Sequence, residues 1–185
     1  MQGKVDLSTY NNDWYKQQIG ASRFKQILWY FTNIIFFINP LNFSNSSKIW
    51  LLKIFGARIG KKVVIKPGVN IKYPWLLEIG DYSWIGEKAW IDNLTKVTIR
   101  SNVCISQGAM LLTGNHNYKS TGFNLIVSGI DLQDGVWIGA RCLICPGVTC
   151  GSHSVLTALS VATKNMEAYK IYQGNPATEI RERTL

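Results

Sequence analysis

The sequence predicts a mainly β fold, a parallel β-helix wound from six-residue repeats. Aliphatic residues recur every six positions at Ile59, Ile65, Ile71 and Leu77, then Ile79, Ile85, Ile91 and Val97, then Ile99, Ile105 and Leu111. A small residue or valine often follows four positions later, as at Val63, Val69, Ser83, Ala89, Thr95, Val103 and Ala109. The restarts lie 20 residues apart, three hexapeptides plus two. Such a period fits neither a helix nor a long strand, but it fits short strands joined by corners. Strand alternation then points position i+4 and the next aliphatic residue to the same, inward side. Three strands close a triangular coil, and a two-residue addition at a corner preserves which side faces in.

The elements follow in chain order. Residues 1–58 lack the beat, are rich in Trp, Tyr and Phe, and end in the amphipathic stretch KIWLLKIFGARIG. They are expected to form a partly helical N-terminal cap, because the first coil of a solenoid otherwise exposes apolar side chains and unpaired strand edges. Residues 59–166 form the β-helix of about five coils, with corner glycines expected at Gly60, Gly80, Gly86, Gly135, Gly139, Gly147 and Gly151 for their backbone freedom. Residues 113–131 interrupt the beat as an excursion loop, the usual seat of function on a rigid scaffold. The beat returns at Leu132, Ile138, Ile144, Cys150, Leu156 and Ala162. Residues 167–185 are expected to form a short tail with a turn at GNPA.

Composition narrows the chemistry. Among 185 residues there are 20 Lys and Arg against 11 Asp and Glu, a net charge of +9. Residues 1–58 carry seven basic and two acidic side chains; residues 59–185 carry 13 and nine. The N-terminal surplus beside the apolar run Ile27 to Ile38 raises contact with an anionic membrane, although simple packing of that run on the first coil is the favoured expectation. No apolar stretch reaches the length of a membrane span. The N-terminus lacks a signal-peptide pattern, so a cytoplasmic chain with reduced cysteines is expected. No nucleic-acid-binding signature is present.

There are two histidines. His116, in TGNHNY, lies in the excursion loop, where a neutral imidazole can serve as a general base; a plain solvated loop residue is the competing reading. His153 takes an outward position of the beat and reads as a surface residue. The pair Cys142 and Cys145 has CxxC spacing, but Cys142 falls on an inward position, and a zinc site needs a second ligand cluster; no metal is expected.

These motifs resemble a known family. The beat, the loop TGNHNY, the return WIGARCLICPGVTCGSHSV, then VATK and GNPA are similar to the hexapeptide-repeat acetyltransferases. The segment FGARIGKKVVIKPGVNIKYPWLLEIGDYSWIGEKAWIDNLTKVTI resembles the colanic acid biosynthesis acetyltransferases of bacterial exopolysaccharide pathways. The likeness runs from about Val5 to Arg183. It implies left-handed coiling, against the right-handed rule for parallel crossovers, and a homotrimer with active sites between subunits. It puts the catalytic base on His116, and acetyl-CoA contacts on Trp137, Ala140, Ala158, Thr163, Lys164 and Arg181. Asp92 and Asn93 are the expected acceptor contacts. The implied activity is acetyl transfer from acetyl-CoA to a hydroxyl of a sugar or lipid-linked glycan. An N-acetyltransferase acting on an amino sugar or xenobiotic, or a non-catalytic scaffold, are the alternatives. Three positions depart from the family: Leu159 replaces a glycine, Asn165 an acidic residue, and Thr178 a basic one.

Overall fold

The computed structural model describes residues 3–184. The chain winds as a left-handed parallel β-helix. Its three faces are a five-stranded sheet A, a seven-stranded sheet B that includes a terminal hairpin, and a five-stranded sheet C. Five coils are complete, and the bridge from Met166 to Cys150 begins a sixth. The register follows the repeat, with Ile59 over Ile79, Ile65 over Ile85, and Ile71 over Ile91. Every aliphatic position of the beat is buried, from Ile59 through Ala162. Thr95 is the exception among the small positions: it is half-buried, and Asn93 is buried in its place.

The reason lies in the corners. In the last complete coil, four positions separate Ile144 on sheet C from Val148, which leads into sheet A. Six separate Ile71 from Leu77 and Ile91 from Val97, and nineteen separate Leu111 from Ile130. All insertions, the excursion loop included, therefore leave from one edge of the prism, between sheets C and A. The other two edges are regular. The A/B edge repeats a left-handed residue at Lys62, Tyr82, Asn102, Gly135, His153 and Tyr169, and the B/C edge does so at Gly68, Lys88, Gly108, Arg141 and Leu159.

This corrects the expected role of several glycines. Gly86 and Gly139 do not hold the left-handed conformation, which falls two residues later. They are glycines because the coils touch there: a Cβ on Gly86 would lie 2.6 Å from Gln107 N, and one on Gly139 2.6 Å from Ala158 N.

The N-terminal segment has two parts. Residues 6–19, which include helix α1 (Asp13–Gln18), run along the C/A edge. Asp6 N–H donates to Thr121 O at 2.9 Å, Tyr15 Oη to Leu94 O at 3.0 Å, and Trp75 Nε1 to Ile19 O at 2.7 Å. Then α2 (Arg23–Asn33), a π turn (Ile34–Ile38) and α3 (Asn45–Ile54) lie across the open end of the first coil. Their polar side chains complete the strand edge there. Asn45 accepts from Ile65 N and donates to Val63 O, the pattern a neighbouring strand would offer. Trp29 Nε1 donates to Ile71 O at 2.9 Å and Lys48 Nζ to Ile65 O at 3.2 Å, so backbone groups left by the missing coil are satisfied. Burial, and next the charge of Lys66, pushes the Lys48 ammonium below its ordinary pKa.

The expectation that the run Ile27 to Ile38 simply packs inward holds for a minority of it. Trp29, Asn33 and Phe37, four apart, are buried; Ile27, Leu28, Tyr30, Phe31, Ile34, Ile35, Phe36 and Ile38 remain exposed. At the far end, the expected tail is a hairpin of Lys170–Gly174 and Ala177–Glu182, joined to Val155–Leu156 in sheet B.

Candidate active site

The excursion loop is ordered by its own ladder. Gly114–His116 pairs antiparallel with Leu125–Val127, setting His116 opposite Leu125. Beyond the pair the chain turns tightly, with Asn117 N–H donating to Asn124 O at 2.8 Å and Phe123 N–H to Ser120 O at 3.0 Å. This turn aims the Phe123 carbonyl at His116, where Nδ1 lies 2.8 Å from Phe123 O. A carbonyl oxygen only accepts, so Nδ1 carries the proton and Nε2 of the neutral ring is left with its lone pair outward. The Phe123 ring stacks on the imidazole, centroids 4.6 Å apart at 5°, and Tyr10 of the N-terminal segment closes in at 6.0 Å. Two contacts from Phe123 and one from Tyr10 thus fix the ring's direction. Sequence reasoning missed both Phe123 and Tyr10, since neither lies on the repeat.

Asp92 ends the sheet C strand Trp90–Asp92 and stands beside Leu112, at the root of the loop. Burial raises its carboxyl above the usual range, with Lys72 acting the other way. Asn93 does not fit the acceptor role expected of it. It is fully buried, its Oδ1 accepts from Tyr73 N at 3.0 Å and its Nδ2 donates to Tyr73 O at 2.6 Å. Both ends of the amide are spent clamping one enlarged corner to the next.

The remaining expected residues lie elsewhere on the prism. Trp137 is on sheet B, 47% exposed, with Nε1 donating to Ser106 Oγ at 3.0 Å. A pocket of about 400 Å³ lined by Trp84, Cys104 and Ser106 opens on the same face. Ala140 and Ala158 stack at the B/C edge, where Leu159 N–H donates to Ala140 O at 2.9 Å. Among the described residues the Ala140 N–H donates to no acceptor. Thr163 and Lys164 are exposed where the fifth coil leaves sheet C, and Arg181 is exposed opposite Ile171 in the hairpin. One chain therefore gathers His116, Asp92 and Lys164 along the C/A edge but not Ala140, Ala158, Trp137 or Arg181. Sheets A and C stand between the two groups.

The three departures have structural answers. Leu159 adopts φ +63° with its side chain 71% exposed, so the left-handed corner forms without glycine. Asn165 Oδ1 accepts from Thr149 N at 2.8 Å, which an aspartate oxygen would do equally. Thr178 is an exposed hairpin position opposite Gln173. The two buried thiols are structural: Cys142 donates to Thr157 O at 2.9 Å, and burial pushes Cys150 up to about 12. Among the described residues no three His, Cys, Asp or Glu side chains cluster as a metal site. His153 stacks on Tyr169 at 4.8 Å in a regular A/B corner, where it is half-buried rather than the plain surface residue expected.

A coil of six-residue repeats with one ordered excursion is the architecture of the hexapeptide-repeat β-helix class, and the relatives of this chain make it an acyltransferase. No family model matches the chain. It is 37% identical over 164 residues to the Escherichia coli protein named "Putative colanic acid biosynthesis acetyltransferase WcaF", covering 89% of this chain and 90% of that one, and it belongs to that acetyltransferase family. It is also 32% identical over 136 residues to the galactoside O-acetyltransferase of Escherichia coli, covering 71% of this chain and 66% of that one. A galactoside acetyltransferase solved in complex with coenzyme A superposes with TM-score 0.77 at 26% identity, over 86% of this chain and 81% of that one. A Vibrio cholerae hexapeptide-repeat acetyltransferase in complex with acetyl-CoA shares the fold at TM-score 0.72 and 23% identity, over 79% of this chain and 81% of that one.

Proposed function

We propose that the protein transfers the acetyl group of acetyl-CoA to a hydroxyl of a sugar or lipid-linked glycan in exopolysaccharide synthesis, with His116 as general base. The observation that carries this reading is the 2.8 Å contact from His116 Nδ1 to Phe123 O, which leaves Nε2 as the proton acceptor. A sugar hydroxyl is a weak nucleophile until its proton is removed. His116 Nε2 takes that proton as the oxygen attacks the thioester carbonyl, an effect of about 10²–10⁴-fold. The resulting oxyanion needs a preorganised donor, and the Ala140 N–H is free to serve. As the carbon–sulfur bond breaks, the imidazolium returns its proton to the departing CoA thiolate. Lys164 and Arg181 meet the CoA phosphates, Trp137 and Ala158 line the CoA cleft, Thr163 adjoins it, and Asp92 contacts the acceptor.

The division of these residues between prism edges supports a homotrimer in which the His116 loop of one protomer faces the Ala140 edge of its neighbour. Purified protein should release CoA thiol from acetyl-CoA with one or more acceptors in a panel of sugars, nucleotide sugars, amino sugars and lipid-linked oligosaccharides. Preference for an amine over every hydroxyl acceptor would overturn O-transfer. Two impaired variants, His116→Ala on the C/A edge and Arg181→Glu in the sheet B hairpin, should recover activity when unfolded together and refolded as mixed oligomers. Failure of a properly mixed assembly to recover any rate argues for sites within one chain.

A further inference from the structure

The positive charge of this protein is confined to one end. Residues 14–77 contain ten Lys and Arg and no Asp or Glu, whereas residues 78–185 contain nine of each. The first group comprises the helices of the cap and the whole first coil. Within it, Lys61 and Lys62 stand at the A/B corner, Lys66 at the B/C corner and Lys72 at the C/A corner, so every corner of the first coil presents an exposed lysine. Arg23 and Lys53 add exposed charge on the helices. Among the described residues none of these six enters an ion pair, while Lys16 and Arg58 do and Lys48 is buried.

Inside this rim lies an apolar plate. Thirteen exposed large apolar side chains fall between Phe24 and Ile54, with Phe24, Leu41 and Phe43 each at least 75% exposed. Along α2 and the π turn they follow one another at helical spacing through Phe24, Ile27, Phe31 and Ile35. The packing of Trp29 and Phe37 on the coil points these residues the other way. Among the described residues no helix is long and apolar enough to cross a bilayer.

We propose that this end of the β-helix docks on an anionic phospholipid bilayer, the apolar side chains entering the headgroup boundary and the lysine rim meeting lipid phosphates. Apolar area plus a basic rim is the combination that holds a surface helix in an interface. Charge selects the occupant: a second copy placed face to face would bring two rims of one sign together, whereas anionic headgroups complement the rim. The excursion loop, two coil spacings above the first coil, then stands about 10 Å further out, within reach of a glycan held at the same surface. That last point rests on the proposed acceptor class; the docking does not.

Cosedimentation with vesicles tests it directly. The protein should pellet with phosphatidylcholine vesicles containing phosphatidylglycerol at low salt, bind pure phosphatidylcholine far more weakly, and be released by high salt. Reversing the rim, with Lys61→Glu, Lys62→Glu and Lys66→Glu together, should weaken binding about 100-fold. Phe24→Ser with Phe31→Ser and Ile35→Ser should weaken it as well. All six side chains are exposed, so circular dichroism, oligomer mass and CoA release with a soluble acceptor should stay unchanged. No binding to the anionic vesicles at low salt overturns the proposal, and so does equal binding to both vesicle types. Dissociation of the oligomer by the apolar variant would assign the plate to a protein interface instead, again against the proposal. Apart from the CoA-release control, none of these readouts depends on the acetyl-transfer reading.

Discussion

Two edges of the prism make opposite use of similar residues. At the regular A/B edge, His153 lies flat on Tyr169 in a corner whose backbone conformation repeats from coil to coil. At the C/A edge, His116 lies equally flat on Phe123, but in a loop with no counterpart in any other coil. The first stack belongs to the repeat. The second exists only because an insertion brings Phe123 O to Nδ1. A corner that repeats is explained by the need to stack; a corner that departs from the repeat requires a further cause, here the direction of one nitrogen. Replacing each histidine should separate the two. His116→Ala should lower acetyl transfer about 10²–10⁴-fold with little change in thermal midpoint. His153→Ala should leave turnover close to wild type. Thiol-release kinetics on both variants check this, and equal losses would break the distinction between the edges.

The same contrast predicts how each edge tolerates bulk. Gly86→Ala puts a Cβ 2.6 Å from Gln107 N and from the Ser106 carbonyl carbon, between coils that cannot separate. A cost of about 1–3 kcal/mol is expected from such overpacking. At the insertion, a Cβ on Gly122 would meet Thr9 O at 3.0 Å, in a strand-free segment able to shift. Denaturant titration should show the larger loss for Gly86→Ala.

Asp92 sharpens the comparison from the functional side. Burial raises its carboxyl, so the folded chain holds that proton more firmly than the unfolded chain. The associated stability is complete below the ordinary Asp pKa of about 3.9 and is lost as pH rises through the higher folded value. At neutral pH, Asp92 is therefore a charge held at a loss. Asp92→Asn should raise the thermal midpoint at pH 7, and the gain should vanish on acidification below about pH 3.9. Acceptor KM should rise in the same variant. A gain in stability with unchanged kinetics would remove Asp92 from the acceptor site.

Much of the coil was legible because each inward position is stated many times: one substitution cannot hide a beat that recurs from Ile59 to Ala162. Where the corner widens, the beat misleads. It names Thr95 as inward, while Asn93 is the residue that turns in to clamp Tyr73. The cap was legible as a necessity but not in detail, since apolar residues along Ile27 to Ile38 face both the coil and solvent. His116 stood out through scarcity, being one of two histidines and the one in the loop. Its orientation was not legible, because Phe123 reaches it through a turn and Tyr10 from more than a hundred residues away. Single tertiary contacts leave no period behind.

The smallest expected effect lies at the B/C edge, where Leu159 occupies a position that Gly68 and Gly108 also fill. Its φ of +63° costs an L-residue roughly 1–2 kcal/mol, and its 71% exposed side chain recovers little by burial. Glycine removes that strain but gives up about 0.5–1 kcal/mol through the greater freedom of the unfolded chain. Leu159→Gly should thus gain a few tenths to 1 kcal/mol, a rise of about 1–4 °C in thermal midpoint. The Leu159 N–H bond to Ala140 O is a backbone contact and should survive, keeping the Ala140 corner in shape. A fall in midpoint instead would mean that the leucine is buried in the assembled protein. The interface that the proposed trimer places along the B/C edge would then be stabilised by the very side chain that strains its corner.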